Sequence, residues 1–368
     1  MRRLISLVLL LLVVTLSITG CSTSKAEKNE NSAATSTSVT TAAGKTNSKN
    51  ITSAPEKEEV KNLDSSVQKP SEAAQPGTTA SNSNTITLMI TRDFGKQVLF
   101  KQQAAIGSNS TIMDVLQANT DVTTKYDGNY VSSIIGLKSH NGGISGSNAD
   151  WFYYINGICS DTGAGDYILR PGEFIWWDYH EWKNMGFVNS AVIGCYPEPF
   201  IHGYRDKVAA TTIMSSADNL KMAEEVAKAL KAKGAASVNM VELNNNLLEK
   251  RTNPTFVIGT WNELKTLAWI NNFNQAYRKT GTSIHFTDNS LELLDFSGNS
   301  ARTINGSAGI IAASGSGLGD GHPLWMIAGT DQTGLQQAVE VLSQSPEKIS
   351  GLYSTAIFSG EIIRLPLP

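Results

Sequence analysis

The sequence predicts an α+β protein: a β-grasp-like domain followed by a Rossmann-like α/β domain, both behind a disordered N-terminal linker. Three observations carry that expectation. Residues 22–84 are polar and contain no aromatic side chain. Residues 85–182 place a strand hairpin, a short helix and then aromatic strands in succession. From Lys207 onward, apolar strands alternate with amphipathic helices.

At the N-terminus, Arg2 and Arg3 precede an apolar run from Leu4 to Leu16 and the tetrad Ile18-Thr19-Gly20-Cys21. A positive start, a short apolar core and small residues before a cleavage point form a secretory signal over 1–20. The run is too short for a comfortable membrane span. The tetrad resembles the lipobox of bacterial lipoproteins, which implies that Cys21 becomes the lipidated first residue of the mature chain. Two or more acyl chains make such an anchor stable, and the folded part is expected on the extracytoplasmic face of the cell membrane. The segment 21–84 then serves as lipidated cysteine and tether. Its five aliphatic side chains (Val39, Ile51, Val60, Leu63, Val67) are too few to offset chain entropy on folding. As a flexible coil, the 63 residues of 22–84 span on the order of 45 Å. A net charge of −3 gives no electrostatic footprint for nucleic acid.

The first folded domain is expected over 85–198. Thr85 to Arg92 alternates as a strand, Asp93-Phe94-Gly95 turns, and Gln97 to Ile106 completes a hairpin. Ser110 or Thr111 caps a helix through Ala118, with Ile112, Val115 and Leu116 on one face. A strand from Tyr130 to Leu137 and a Gly/Ser/Asn loop from Ser139 to Ala149 follow. Four of the seven tryptophans then fall between Trp151 and Trp182, on two aromatic strands. Alternation sets Trp151, Tyr153 and Ile155 against Phe152, Tyr154 and Asn156. About half of these rings are core, because one face packs on the helix; the others can form a binding platform. On the last strand Trp176, Asp178, His180 and Trp182 share the face expected to meet solvent. His180 near Asp178 and Glu181 is read as solvated surface, with no catalytic role.

The runs TITLMITRDFGKQVLF, TIMDVL, DWFYYINGICSDTGAGDY and PGEFIWWDYHEW resemble the bacterial, DUF4430-like domain related to the C-terminal β-grasp domain of transcobalamin and intrinsic factor. That resemblance implies a cobalamin or related corrinoid as ligand. It places the contact at Trp151, Tyr153, Gly163, Ala164, Gly165, Asp166, Tyr167 and Trp176. His140 as an axial cobalt ligand would rest on the resemblance alone. The helical barrel that encloses the corrinoid in the vitamin carriers has no counterpart in 198–368. A corrin is broad, apolar on its faces and rimmed with amides, so rings and glycine-exposed backbone suit it.

Export permits a disulfide between Cys159 and Cys195, and two buried free thiols fit the sequence equally. No CxxC or Cys/His cluster suggests a metal site.

The second domain is expected over 199–368. Asp218 to Lys233 carries Leu220, Ala223, Val226, Ala227 and Leu230 on one stripe, with Gly234 at its end. A second helix is expected from Glu263 to Arg278 and a third from Gly334 to Leu342. Strands are expected at 209–214, 238–243, 256–258, 283–286, 291–296, 308–313, 324–328 and 354–364. TFVIGTWNEL, GIIAAS and LWMIAGTDQTGLQQAVEVL resemble, more loosely, an α/β module of surface-layer and envelope proteins. Ser314 to Gly321 reads as a strand connection because no helix follows to cradle a phosphate. Gly329 to Gly334 lacks the Walker lysine, and Asp331 or Thr333 reads as a helix cap. No nucleophile elbow or zinc-protease motif appears, so the chain is expected to be a binding protein, not an enzyme. The alternative is a structural or adhesive envelope module that binds wall glycan or another surface protein.

Overall fold

Alternating apolar side chains make Thr85–Arg92 a strand, β1, which a turn at Asp93–Lys96 returns as β2 (Gln97–Ala105). The computed structural model describes residues 84–126, 128, 130–141, 148–182 and 189–368. The signal segment, Cys21, the linker to residue 83 and the centre of the expected glycine loop lie outside the described residues. Helix α1 (Ile112–Asn119) starts at a capping box, in which the Thr111 hydroxyl accepts from the Asp114 N–H and the Asp114 carboxyl accepts from the Thr111 N–H. β3 (Val122–Lys125), β4 (Tyr130–Ile134) and β5 (Leu137–Lys138) form a small antiparallel sheet. The expected single strand from Tyr130 to Leu137 is therefore a hairpin, folded at Ile135 and Gly136 with φ of 50° and 76°. β6 (His140–Asn141), β7 (Asn148–Ile155), β8 (Ile158–Cys159) and β9 (Phe174–Trp182) complete the first large sheet. Its order is β2-β1-β9-β7-β6, with β8 on β7. β1 runs parallel to β9, whereas β2–β1 and β9–β7 are antiparallel.

The later chain builds β10 (Thr211–Ser215), α2 (Leu220–Ala232), β11 (Val238–Glu242), α3 (Asn245–Glu249) and β12 (Thr255–Thr260). Next come α4 (Trp261–Leu264), α5 (Ala268–Gln275), β13 (Ile284–Phe286), β14 (Leu291–Leu294) and β15 (Ser300–Ile304). β16 (Ala308–Ser314), β17 (Leu324–Gly329), α6 (Gln332–Gln344), β18 (Ser354–Phe358) and β19 (Glu361–Leu365) end it. The second sheet has the order β11-β10-β12-β17-β16-β18-β19. Its first four strands are parallel and its last three antiparallel to their neighbours. The fold is mixed α/β, with several sheets and few helices.

Three sequence expectations need correction here. Leu220 is 46% exposed, because the short 3-10 turn before it shifts the buried stripe of α2 to Met222, Ala223, Val226, Ala227 and Leu230. The helix expected from Glu263 to Arg278 is broken. A Thr260–Glu263 capping box starts it at Trp261, and Leu267 is extended (φ −81°, ψ 116°), which lets Trp261, Leu264 and Ile270 reach one core. The expected final strand 354–364 is a hairpin, because Ser359 and Gly360 take φ of 51° and 78°.

All described residues belong to one compact unit. One core packs α2 and α6 on the second sheet; another packs α4, α5 and the β13–β15 sheet on its opposite face. The third core lies between α1 and the first sheet. A fourth cluster forms a seam, joining Met89, Tyr154 and Trp176 of the first sheet to Val192, Cys195 and Tyr353 of the later chain.

Candidate functional site

The face of β9 expected to meet solvent is buried from Trp176 to His180, and Trp182 is half-buried. Trp176 and Asp178 are 0% exposed and His180 is 5% exposed. The physical reason is a lid from distant sequence, with Tyr353 standing edge-on to Trp176 and His180 at centroid distances of 5.2 and 5.7 Å. His180 lies between the rings of Phe94 and Phe152, 4.2 Å from each. Burial of the carboxyl is compensated by its partners. Asp178 Oδ1 accepts from Phe94 N–H at 3.0 Å and stands 2.8 Å from His180 Nδ1. Oδ2 accepts from Gly95 N–H at 2.8 Å and from the Thr91 hydroxyl. Thr91 Oγ1 in turn accepts from Trp176 Nε1 at 2.7 Å. The arrangement bolts the β1–β2 turn to β9. Trp176 belongs to this bolt and has no solvent-facing ring to offer a ligand.

The Gly163–Tyr167 loop has a different setting. Ala164 and Tyr167 carbonyls accept from Met113 and Ile112 N–H at 2.9 and 3.2 Å, which ties the loop to the start of α1. Gly163, Gly165 and Asp166 stay exposed, whereas Ala164 and Tyr167 are 6% exposed. The Tyr167 hydroxyl donates to Glu173 Oε1 at 2.6 Å, and Arg170 N–H donates to Oε2 at 2.8 Å. Burial holds the Glu173 carboxyl above its usual pKa, although both hydrogen bonds oppose the shift.

Beside the loop lies an open depression of about 230 Å³, lined by Thr162, Asp166, Tyr167, Ile168, Arg170, Arg205 and Asp206. Arg170 grips Asp206 with two hydrogen bonds of 2.7 and 2.8 Å. Arg205 pairs with Asp161 at 2.7 Å, and Asp161 also accepts from the Tyr204 hydroxyl at 2.8 Å. These exposed pairs are worth little to stability, so the guanidinium groups can exchange partners for a ligand at small cost. Arg170, Arg205 and Asp206 escaped the sequence reading. The visible signal was Arg205-Asp206 in a turn, and nothing in the local pattern brings it to Gly163.

Trp151 is 9% exposed in the core that also takes the apolar face of α1, and its Nε1 donates to Leu137 O at 3.1 Å. Tyr153 stacks on Trp177 at 4.5 Å and its hydroxyl donates to Thr162 O. Burial pushes the Tyr153 hydroxyl up to about 12. Only the Tyr153 hydroxyl end therefore approaches the depression. Cys159 and Cys195 are free, buried thiols in the seam, and burial pushes Cys159 up to about 12. His140 is exposed on β6. In the second sheet, Asp331 caps α6 by accepting from Gly334 N–H at 2.8 Å. A Cβ on Gly334 would stand 2.1 Å from Ala308 O, so that glycine serves helix packing. Among the described residues, no group of three or more His, Cys, Asp or Glu side chains stands together as a metal site.

One titratable pair lies shortly before the Arg205–Asp206 turn in sequence. Glu198, 5% exposed, accepts from His202 N–H at 2.9 Å and lies 2.5 Å from its Nδ1. That hydrogen bond raises the His202 pKa above the ordinary 6.5, while partial burial opposes it. A raised histidine stabilises the fold fully below its unfolded pKa and loses that contribution as pH rises through the folded value. Above pH 6.5, wild-type protein is therefore expected to lose more stability than His202→Gln, by under about 1 kcal/mol because the ring is partly exposed. Urea midpoints from pH 6 to 9 measure this, and parallel curves for the two proteins would dismiss the pair as a contributor.

A protein-family model described as a domain of unknown function (DUF4430) matches residues 109–181. This stretch runs from the cap of α1 through β9 and contains the Gly163–Tyr167 loop. No curated protein matches the chain.

Proposed function

We propose that the chain is a lipid-anchored, extracytoplasmic binding protein that holds its ligand at the Gly163–Tyr167 loop. Cys21 carries the acyl chains, and 22–84 tethers the folded part above the membrane. The order β2-β1-β9-β7, with β1 parallel to β9 and α1 on one face, supports reading 85–198 as a β-grasp domain. The parallel run β11-β10-β12-β17 under α2 and α6 supports reading 199–368 as Rossmann-like. No residue is assigned a catalytic role and no cofactor is assigned.

The observation that carries the binding reading is the depression at the glycine loop, where the ion-pair partners of both arginines, Asp206 and Asp161, are themselves exposed. The ligand class implied by the resemblance is cobalamin or a related corrinoid. Pockets that enclose a drug-sized ligand hold about 300–1,000 Å³; this depression holds about 230 Å³. It therefore suits the amide-bearing rim of a corrin and not its whole ring. Cyanocobalamin titrated into the mature protein is expected to give saturable heat, weakened about tenfold by Arg205→Ala. Cys21→Ser is expected to release the protein from cells into the medium without changing that heat. Absence of both heat and spectral change at ligand excess would remove the corrinoid, and a Cys21→Ser protein that stays in the membrane would remove the anchor.

A second reading has its own observation. Trp151, Tyr153 and Trp176 are spent in cores, which leaves a polar surface at the loop. Such a surface suits wall glycan or another envelope protein. Co-sedimentation with peptidoglycan, together with silence toward cyanocobalamin, is the expected result under this reading.

A further inference from the structure

The last strand of the chain leaves the backbone hydrogen-bonding groups of two of its five residues unused. β19 is the terminal strand of the seven-stranded sheet and pairs only with β18. The two-residue turn at Ser359 and Gly360, with φ of 51° and 78°, makes the flanking pair Phe358–Glu361 the hydrogen-bonded one. Alternation then points the N–H and C=O of Glu361, Ile363 and Leu365 toward β18. Those of Ile362 and Arg364 point outward, and among the described residues no other backbone group bonds to them. Two of the usual devices that blunt an edge, a bulge and a proline within the strand, are absent here. The β18–β19 register has no bulge, and the proline comes only after the strand, at Pro366.

This edge opens on a cleft of about 540 Å³, larger than the depression at the glycine loop and separate from it. Phe94 and Phe296, with ring centroids 6.2 Å apart, line it together with Ile362. Lys96, Arg302 and Arg364 also line it. Among the described residues neither Lys96 nor Arg302 forms an ion pair, and the Arg302 guanidinium lies 5.7 Å from the Phe358 ring centroid. The Arg364 guanidinium donates only to carbonyls, those of Gly351 at 2.7 Å and Phe94 at 3.4 Å. Of the acids, Asp93 is engaged by Arg92 at 2.9 Å, and Glu181 also has a partner. Among the described residues Glu361 forms no ion pair and faces two cations, Lys96 and Arg302, that form none either, while Arg364 feels the buried Asp178 carboxylate.

We infer that the β19 edge is a docking strand for an extended peptide segment of a partner protein, one that alternates apolar and acidic residues. Backbone groups of the guest pair with Ile362 and Arg364, as in strand addition to other open sheets. Its apolar side chains rest against Phe94 and Phe296, and its carboxylates meet Lys96 and Arg302. The site is distinct from the depression at Arg205, and its test does not depend on corrinoid binding.

The probe is a labelled, end-blocked hexapeptide of sequence Thr-Val-Glu-Val-Glu-Thr, followed by fluorescence anisotropy with the full chain. Saturable binding is expected. N-methylation of the two valines should weaken it about tenfold or more, because it removes the guest's ladder donors. Lysine in place of both glutamates should weaken it about as much, and Arg302→Glu should lessen that preference. Ile362→Pro removes an outward N–H that the sheet does not use and is expected to abolish binding with the thermal transition retained. If that variant fails to fold, the N-methylated peptide on wild-type protein decides. The inference is overturned by no binding, by equal binding of the N-methylated peptide, or by self-association of the chain that excludes the probe.

Discussion

Asp178→Ala is expected to lower the free energy of unfolding by about 3–5 kcal/mol, the scale on which a buried polar network loses a central member. The carboxyl is 0% exposed and is the partner of four groups: the Phe94 and Gly95 N–H groups, the Thr91 hydroxyl and His180. Alanine leaves those groups in a space that water enters only by opening the seam. The turn has no alternative way to settle, because a Cβ on Gly95 would already stand 2.1 Å from Gly351 O. Asp178→Asn keeps one acceptor oxygen but turns an NH₂ toward N–H donors, so its cost should be about half. Urea denaturation followed by tryptophan fluorescence measures both variants. A loss below about 1 kcal/mol for the alanine would mean that the network is not holding the turn.

The strand containing Asp178 shows what the sequence could and could not convey. Alternation correctly divided Trp176, Asp178 and His180 from Ile175, Trp177 and Tyr179, since that division follows from backbone pleat alone. The exposure of the first set depended on what lies across from it, and a polar pair on a strand ordinarily faces water. Here Tyr353, 173 positions from His180, covers it. No local pattern reports a partner at that distance. The same limit applies to the candidate site. The Gly163–Tyr167 loop was legible through its glycines and aromatic neighbours, whereas Arg205 and Asp206 arrive from a turn in later sequence. Local chemistry fared better where it is self-contained: Thr111 and Asp331 cap helices through their own side chains. The Ser359–Gly360 turn was also local, and an apolar run on both sides concealed it.

Tyr353→Ala is expected to cost about 3–5 kcal/mol and to change the form of unfolding as well as its midpoint. The ring is 1% exposed and contacts Phe94, Tyr154 and Trp176 at centroid distances of 5.3, 5.5 and 5.2 Å. Those three residues belong to the first sheet and its turn; Tyr353 immediately precedes β18 of the second. Alanine therefore opens a cavity between the sheets and not within either one. Each sheet keeps its own larger core against helices, so the lost contact is the coupling between them. Scanning calorimetry should show one transition in wild type and two in the variant, with the seam no longer joining the cooperative units. Tyr353→Phe isolates the ring from its hydroxyl, which lies a long 3.4 Å from His180 Nδ1, and should cost under about 1.5 kcal/mol with a single transition. If Tyr353→Ala still unfolds in one step at nearly the wild-type midpoint, the aromatic seam does not bind the sheets together. The burial of Trp176 would then require another physical account, since its ring gives up solvent contact for this interface and for a single hydrogen bond to Thr91.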